Sequence, residues 1–259
     1  MDLLLISTEF PPQPGGIGHH ACNLAKYLNR QGVGTEVVCE SRNEADFNAE
    51  CDFDNHLPYQ VHRIPRKGSF ISRFRQRIHQ LLSLSQRPDT ILMASGLWPL
   101  LLTGSLKLLR IRKQPAVYIA HAMDVNPSNR ILKAICHFLL SRFDRIVSVS
   151  HYTKAKLPRS LRKKTTVIPN GFDTERFQKN IPKNGHLAGN PGLITLGSVT
   201  ARKGQINIVN ALPGILQSFP GAHYHLIGLP TEKDLILKRA KELGVQDRIQ
   251  LHGTLEEDQ

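Results

Sequence analysis

The chain has 259 residues, 40% of them hydrophobic and 21% charged. That composition excludes a disordered or collagen-like polymer, and the length suffices to bury a core without disulfide staples. The net charge of +13 is unevenly placed: residues 1–60 carry 3 basic and 9 acidic side chains (net −6), residues 61–180 carry 23 and 5 (net +18), and residues 181–259 carry 8 and 7 (net +1). An excess confined to the middle points to an anionic partner (nucleic acid, a phosphorylated substrate or an acidic lipid surface) or to a solvated face that only aids solubility. No apolar run approaches the roughly 18 residues of a membrane span. Leu3–Ile6 is too short for a signal peptide and has no basic leader. The cysteines Cys22, Cys39, Cys51 and Cys136 lack CxxC spacing and read as reduced, mostly buried thiols of a cytoplasmic protein.

In chain order, strands are expected at Leu3–Ser7, Thr35–Cys39, Gln60–Ile64, Thr90–Met93, Ala116–His121, Arg145–Val149 and Thr165–Ile168. Amphipathic stretches separate them, as where Ile131, Leu132, Ile135, Phe138 and Leu139 recur at helical spacing. Near-continuous apolar strands alternating with helices indicate an α/β fold with a parallel, doubly wound sheet. Residues 172–191, with Pro182, Asn184, Gly185, Gly189, Asn190 and Pro191, have the composition of a linker. A fresh series follows: strand Leu193–Leu196, helix Gln205–Phe219, strand His223–Ile227, helix Glu232–Leu243 and strand Arg248–His252. A doubly wound domain usually needs about five or six strands, so the second domain reads as incomplete.

Four segments could carry chemistry. Pro11-Pro12-Gln13-Pro14-Gly15-Gly16-Ile17-Gly18 lies between the first strand and its helix, where glycines let a ligand approach the backbone and the helix start favours an anion. The same loop matches a dinucleotide fingerprint, Gly16-x-Gly18-x-x-Ala21 with Glu40 closing the next strand; the intervening prolines argue against the tight turn that fingerprint needs. His121 ends a buried strand, at the sheet edge where open α/β folds bind ligands, although a lone histidine can equally be a satisfied core residue. Ser150 sits at the equivalent edge, either in the site or as the N-cap of the helix that follows. Val167-Ile168-Pro169-Asn170-Gly171-Phe172-Asp173 contains an ordinary turn signal. In Gly197-Ser198-Val199-Thr200-Ala201-Arg202-Lys203-Gly204, two adjacent cations before a helix form a candidate diphosphate clamp or an exposed loop pair.

Taken in order, these segments resemble the family-4 retaining glycosyltransferases. The resemblance implies the GT-B architecture, two Rossmann-like domains facing across a cleft: 1–171 on the acceptor side, a linker 172–191, and 192–259 as the first part of a nucleotide-sugar domain. It implies that Gly15, Gly16 and Gly18 approach the donor phosphates, that His121 faces the donor sugar, that Asn170 lies near the hinge, and that Lys203 binds the diphosphate of a UDP- or GDP-sugar. The family usually has arginine after the loop's first glycine; here that place is Ser198, and Arg202 would take the role. The family's Glu–seven residues–Glu element would fall beyond Gln259, since Glu256 and Glu257 come too early. No cofactor or metal is expected, because helix N-termini and Arg/Lys can stabilise the departing diphosphate. No residue identifies itself as a general base.

The stretch from Arg63 to Ile78, with Arg63, Arg66, Lys67, Arg73, Arg75 and Arg77 among Phe70, Ile71 and Phe74, reads as a basic amphipathic helix. It marks a membrane or acceptor surface and places the protein at the inner face of the plasma membrane, meeting a glycan or lipid-linked acceptor. Nucleic acid is not expected, for lack of any reader module. The competing readings are a dinucleotide-dependent oxidoreductase and an inactive basic fragment that only binds surfaces.

Overall fold

The computed structural model describes residues 2–41, 47–65, 67–174 and 187–255. Arg66 and the Glu256–Glu257 pair, as well as most of the linker stretch, lie outside the described residues. The chain divides into two compact units, Met1–Phe177 and Gln178–Gln259.

The first unit is built on seven parallel strands: β1 (Asp2–Ser7), β2 (Gly34–Glu40), β3 (Gln60–Ile64), β4 (Thr90–Ser95), β5 (Ala116–Ala120), β6 (Arg145–Ser148) and β7 (Thr165–Val167), in spatial order β3-β2-β1-β4-β5-β6-β7. β1 sits centrally, with Leu4 opposite Glu36 on β2 and Leu92 on β4. Side chains alternate between the two faces of a strand, and both faces are covered here. Leu4 and Ile6 join a core with Leu81, Leu100 and Leu139, under helices α3 (Phe70–Leu84), α4 (Leu97–Leu108) and α6 (Arg130–Leu140). Leu5 joins the opposite core with Ala21, Ala25 and Phe53, under α1 (Gly16–Arg30) and α2 (Phe47–Asn55). Between β5 and α6 lies the single turn α5 (Ala122–Val125); α7 (His151–Lys156) and α8 (Arg159–Arg162) join β6 to β7.

Local chemistry starts these helices. The Ser69 hydroxyl accepts from Ser72 N–H at α3, Asn129 Oδ1 accepts from Ile131 and Leu132 N–H at α6, and the Ser150 hydroxyl accepts from Thr153 N–H at α7. Ser150 is therefore the helix cap that its sequence context allowed. Two readings need correction. The basic stretch 63–78 is not one helix: Arg63 and Ile64 close β3, and the helix begins only at Phe70. Helix α2 has weak periodicity and was not expected; it exists because Glu50 and Asp54 on it pair with Arg63.

The second unit has three parallel strands, β8 (Gly192–Leu196), β9 (His223–Ile227) and β10 (Ile249–Gly253), in order β10-β9-β8, with α9 (Gln205–Ser218) and α10 (Lys233–Glu242). Tyr224, Leu226, Val209, Leu212 and Ile236 form its core. Among the described residues no helix is long and apolar enough to cross a membrane. None of the four cysteines is in a disulfide; Cys39 and Cys136 are buried and Cys22 and Cys51 half-buried.

Candidate active site

Parallel strands end on one edge, so the topology alone brings the loop after β1, Ser95 at the end of β4, His121 after β5 and Ile168–Asn170 after β7 to the same side of the first sheet. The three glycines of the first loop differ in role. A side chain at Gly15 would meet only the movable Glu9 carboxylate, whereas a Cβ at Gly18 would lie 3.0 Å from Phe10 N, so Gly18 seats α1 tightly on the loop. Gly16 has no atom within 4 Å of its missing Cβ. It faces a cleft of about 450 Å³, walled on one side by Gly16, His19, His20, Asn23 and Tyr27 of α1 and on the other by Ile168–Phe172. The structure thus brings Gly16 and Asn170 into one cleft within the first unit.

His121 borders this edge. Its Nε2 shares a 3.0 Å hydrogen bond with the buried Ser95 hydroxyl, and its ring stands nearly perpendicular to that of His20, centroids 5.4 Å apart. Burial, helped by the neighbouring His20, lowers the His121 pKa to about 4, and burial also lowers that of His20. Both imidazoles are neutral at pH 7 and act there as hydrogen-bonding groups rather than cations. Beneath them, Asp124 accepts from the Tyr118 hydroxyl, from His121 N–H (3.3 Å) and from its neighbour Val125 N–H (3.1 Å). Burial nevertheless lifts its pKa to about 6. Asp124 and Ser95 carried no signal in the sequence beyond their places after strands.

In the second unit the loop after β8 presents Arg202 and Lys203, both exposed. Gly197 has φ +125° and Gly204 φ +74°, and the Lys203 chain runs beside Gly197, 3.7 Å from where a Cβ would stand. The buried Gln205 braces the loop from within, donating to Ser198 O at 3.0 Å and accepting from Thr200 N–H at 3.3 Å. Gly228, at the end of β9, presses on the same loop: a Cβ there would lie 2.5 Å from the Gly197 carbonyl.

Of the six cations assigned to a membrane or acceptor surface, the five among the described residues do not act together. Arg63 is nearly buried, pairing with Asp54 at 2.6 Å and Glu50 at 3.3 Å and donating to Pro11 O. Arg77 pairs with Glu40, Nε to Oε1 at 2.7 Å, and lies over the Trp98 ring. Neither is a surface cation, because the acidic N-terminal segment supplies carboxylates that hold them inside. Arg73 is half-buried, whereas Lys67 and Arg75 are exposed beside the exposed Ile71 and Phe74. The Glu40–Arg77 pair also removes the dinucleotide reading, since Glu40 is committed and the loop Thr8–Gly15 is no tight turn. No group of three or more His, Cys, Asp or Glu converges as a metal ligand set among the described residues.

The model for Glycosyltransferase Family 4 matches residues 14–176, well over half the chain. The chain belongs to glycosyltransferase family 4. Among curated relatives of this family-4 chain, a GDP-mannose-dependent alpha-(1-6)-phosphatidylinositol monomannoside mannosyltransferase from Mycobacterium tuberculosis is 23% identical, covering 99% of this chain and 68% of the relative. A GDP-mannose-dependent monoacylated alpha-(1-6)-phosphatidylinositol monomannoside mannosyltransferase from Corynebacterium glutamicum is 22% identical over 98% and 67%. Among solved structures, Anabaena HepE in complex with UDP and glucose superposes with a TM-score of 0.75 at 18% identity, covering 99% of this chain and 70% of that one. These neighbours establish the GT-B fold. A UDP-GlcNAc 2-epimerase from Methanocaldococcus jannaschii shares it at a TM-score of 0.60 and 13% identity, with 99% and 74% covered, so the fold alone does not assign the reaction.

Proposed function

We propose that this glycosyltransferase moves a hexosyl group from a UDP- or GDP-sugar to a glycan or lipid-linked acceptor, with retention of configuration, in polysaccharide or glycolipid biosynthesis. The observation that carries the reading is the single cleft that joins Gly16 at the start of α1 to Asn170, with neutral His20 and His121 at its border. Sugar transfer develops charge on a departing diphosphate, and its stabilisation is the main task of the protein. The N-terminus of α1 offers backbone N–H groups and a positive dipole end at the open Gly16. On the second unit, the exposed Arg202 and Lys203 are side chains of the kind that bind phosphate groups. This chemistry asks for no metal or cofactor. A neutral His121 hydrogen-bonds the donor sugar without competing for the diphosphate.

The relatives named for GDP-mannose and phosphatidylinositol mannosides support a mannosyl donor and a glycolipid acceptor. The UDP-bound neighbour supports the UDP alternative. A membrane-borne acceptor also suits the exposed Ile71, Phe74, Lys67 and Arg75 at the start of α3, which would touch an anionic leaflet at the inner face of the plasma membrane. Nucleotide release from GDP-mannose and UDP-glucose, with glycolipid extract as acceptor, tests the proposal. His121→Ala and Lys203→Met should each lower kcat by about 100-fold. Undiminished turnover in both variants, or no turnover of any nucleotide-sugar by the parent, would sink it.

A further inference from the structure

From Thr166 to Thr174 the chain is exposed or half-exposed at every residue except Asp173, which is 7% exposed. The segment is an arch: Ile168 N–H donates to Ser148 O at 3.0 Å at one end, and Asp173 fastens the other. Asp173 Oδ2 lies 2.6 Å from Lys26 Nζ, and Asp173 Oδ1 accepts from the Tyr27 hydroxyl at 3.0 Å. Both partners belong to α1, the helix whose first turn carries Gly16 and His20. The arch therefore has no buried apolar anchor beyond β7, and a desolvated carboxylate takes that place. Such a carboxylate is tolerable only where its charged and hydrogen-bonding partners stand, which fixes the arch to one position along α1. Tyr27 itself lines the cleft, so the fastening reaches the site directly.

We propose that Asp173 is a positioning residue of the transfer site: by clasping Lys26 and Tyr27 it holds the Asn170 wall of the cleft at a fixed distance from Gly16 and His20. The consequence for the reaction rests on the function proposed above; the clasp itself does not. Asp173→Asn keeps the shape and removes the charge, Lys26→Met removes the partner, and Asp173→Glu keeps the charge.

Two measurements on the whole chain test the inference. Chymotrypsin cleavage after the exposed Phe172, followed by fragment mass, should quicken about tenfold in Asp173→Asn and Lys26→Met, with cleavage elsewhere and the unfolding midpoint little changed. Unaltered cleavage at Phe172, or acceleration spread over the whole unit, overturns the clasp. In turnover of GDP-mannose or UDP-glucose, whichever the parent uses, KM should rise about tenfold with kcat within about twofold, and Asp173→Glu should recover most of the loss. A fall in kcat at unchanged KM, the mark of a smaller folded fraction, would overturn the positioning role. A parent inactive on every nucleotide-sugar refutes the proposed function and leaves the cleavage result to decide the clasp.

Discussion

The two flanks of the first sheet treat buried ionisable groups in opposite ways. At the β3 flank, α2 and β2 carry Glu50, Asp54 and Glu40 to the guanidinium groups of Arg63 and Arg77, so each buried cation has a carboxylate beside it. At the β4–β5 ends no ion pair to His121 or Asp124 is found among the described residues, and burial shifts both toward their neutral forms. Paired ions in the first region set the scaffold, since Arg63 alone ties β3, α2 and the loop before Gly15 together. Groups held by hydrogen bonds alone in the second stand at the edge where chemistry is proposed, as burial that shifts a titratable group commonly marks functional sites.

The sharpest way to break this comparison is Arg63→Met, which leaves Glu50 inside without its guanidinium. Urea denaturation should show a loss of about 3–5 kcal/mol, against less than about 0.5 kcal/mol for the exposed Arg75→Met. Equal effects would mean that the β3 pairs are ornamental. Glu40→Gln, which weakens one charged hydrogen bond to Arg77 and keeps the Trp98 stacking, should cost about 1.5–3 kcal/mol in the same experiment.

At the β5 end the prediction is one of pH. His121 has its folded pKa depressed from 6.5 to about 4, so the unfolded chain binds more protons between these values; its contribution is complete above pH 6.5 and is lost as pH falls toward 4. Asp124 has its folded pKa raised from 3.8 to about 6, so its contribution is present below pH 3.8 and is lost as pH rises through 6. The slopes oppose each other. Relative to the parent, His121→Gln should become less stable as pH climbs from 4 to 6, and Asp124→Asn more stable, each by up to about 1 kcal/mol per pH unit. Parallel curves for parent and variants would refute the neutral-edge account. The smallest effect belongs to the exposed Arg75: Arg75→Glu should weaken flotation with anionic vesicles by about 1 kcal/mol per charge changed, while Arg63 variants that fold should bind as the parent does.

The architecture was legible because apolar runs such as Leu3–Ile6 and the helical spacing of Ile131, Ile135 and Phe138 are local signals. His121, expected at the end of a strand, instead follows it and precedes the short helix α5. What the sequence hid are partnerships over distance: Lys26 with Asp173, Arg77 with Glu40, and Ser95 with His121. A count of cations could not separate Arg75 from Arg77, two positions apart on one helix. Their difference depends on which face of α3 meets β2, a property of packing. Asp173, assigned to a linker by composition, instead belongs to the first unit, because its carboxylate is bound to α1.

The meeting of Gly228 with Gly197 makes one backbone the floor of another. A methyl group at position 228 would have to lift the carbonyl beneath Lys203, so the reach of that ammonium is governed from a neighbouring strand. If the loop binds a diphosphate as proposed, alanine there would alter that affinity without removing any atom that could contact the ligand, and an engineer tuning the loop should begin beneath it rather than on its rim.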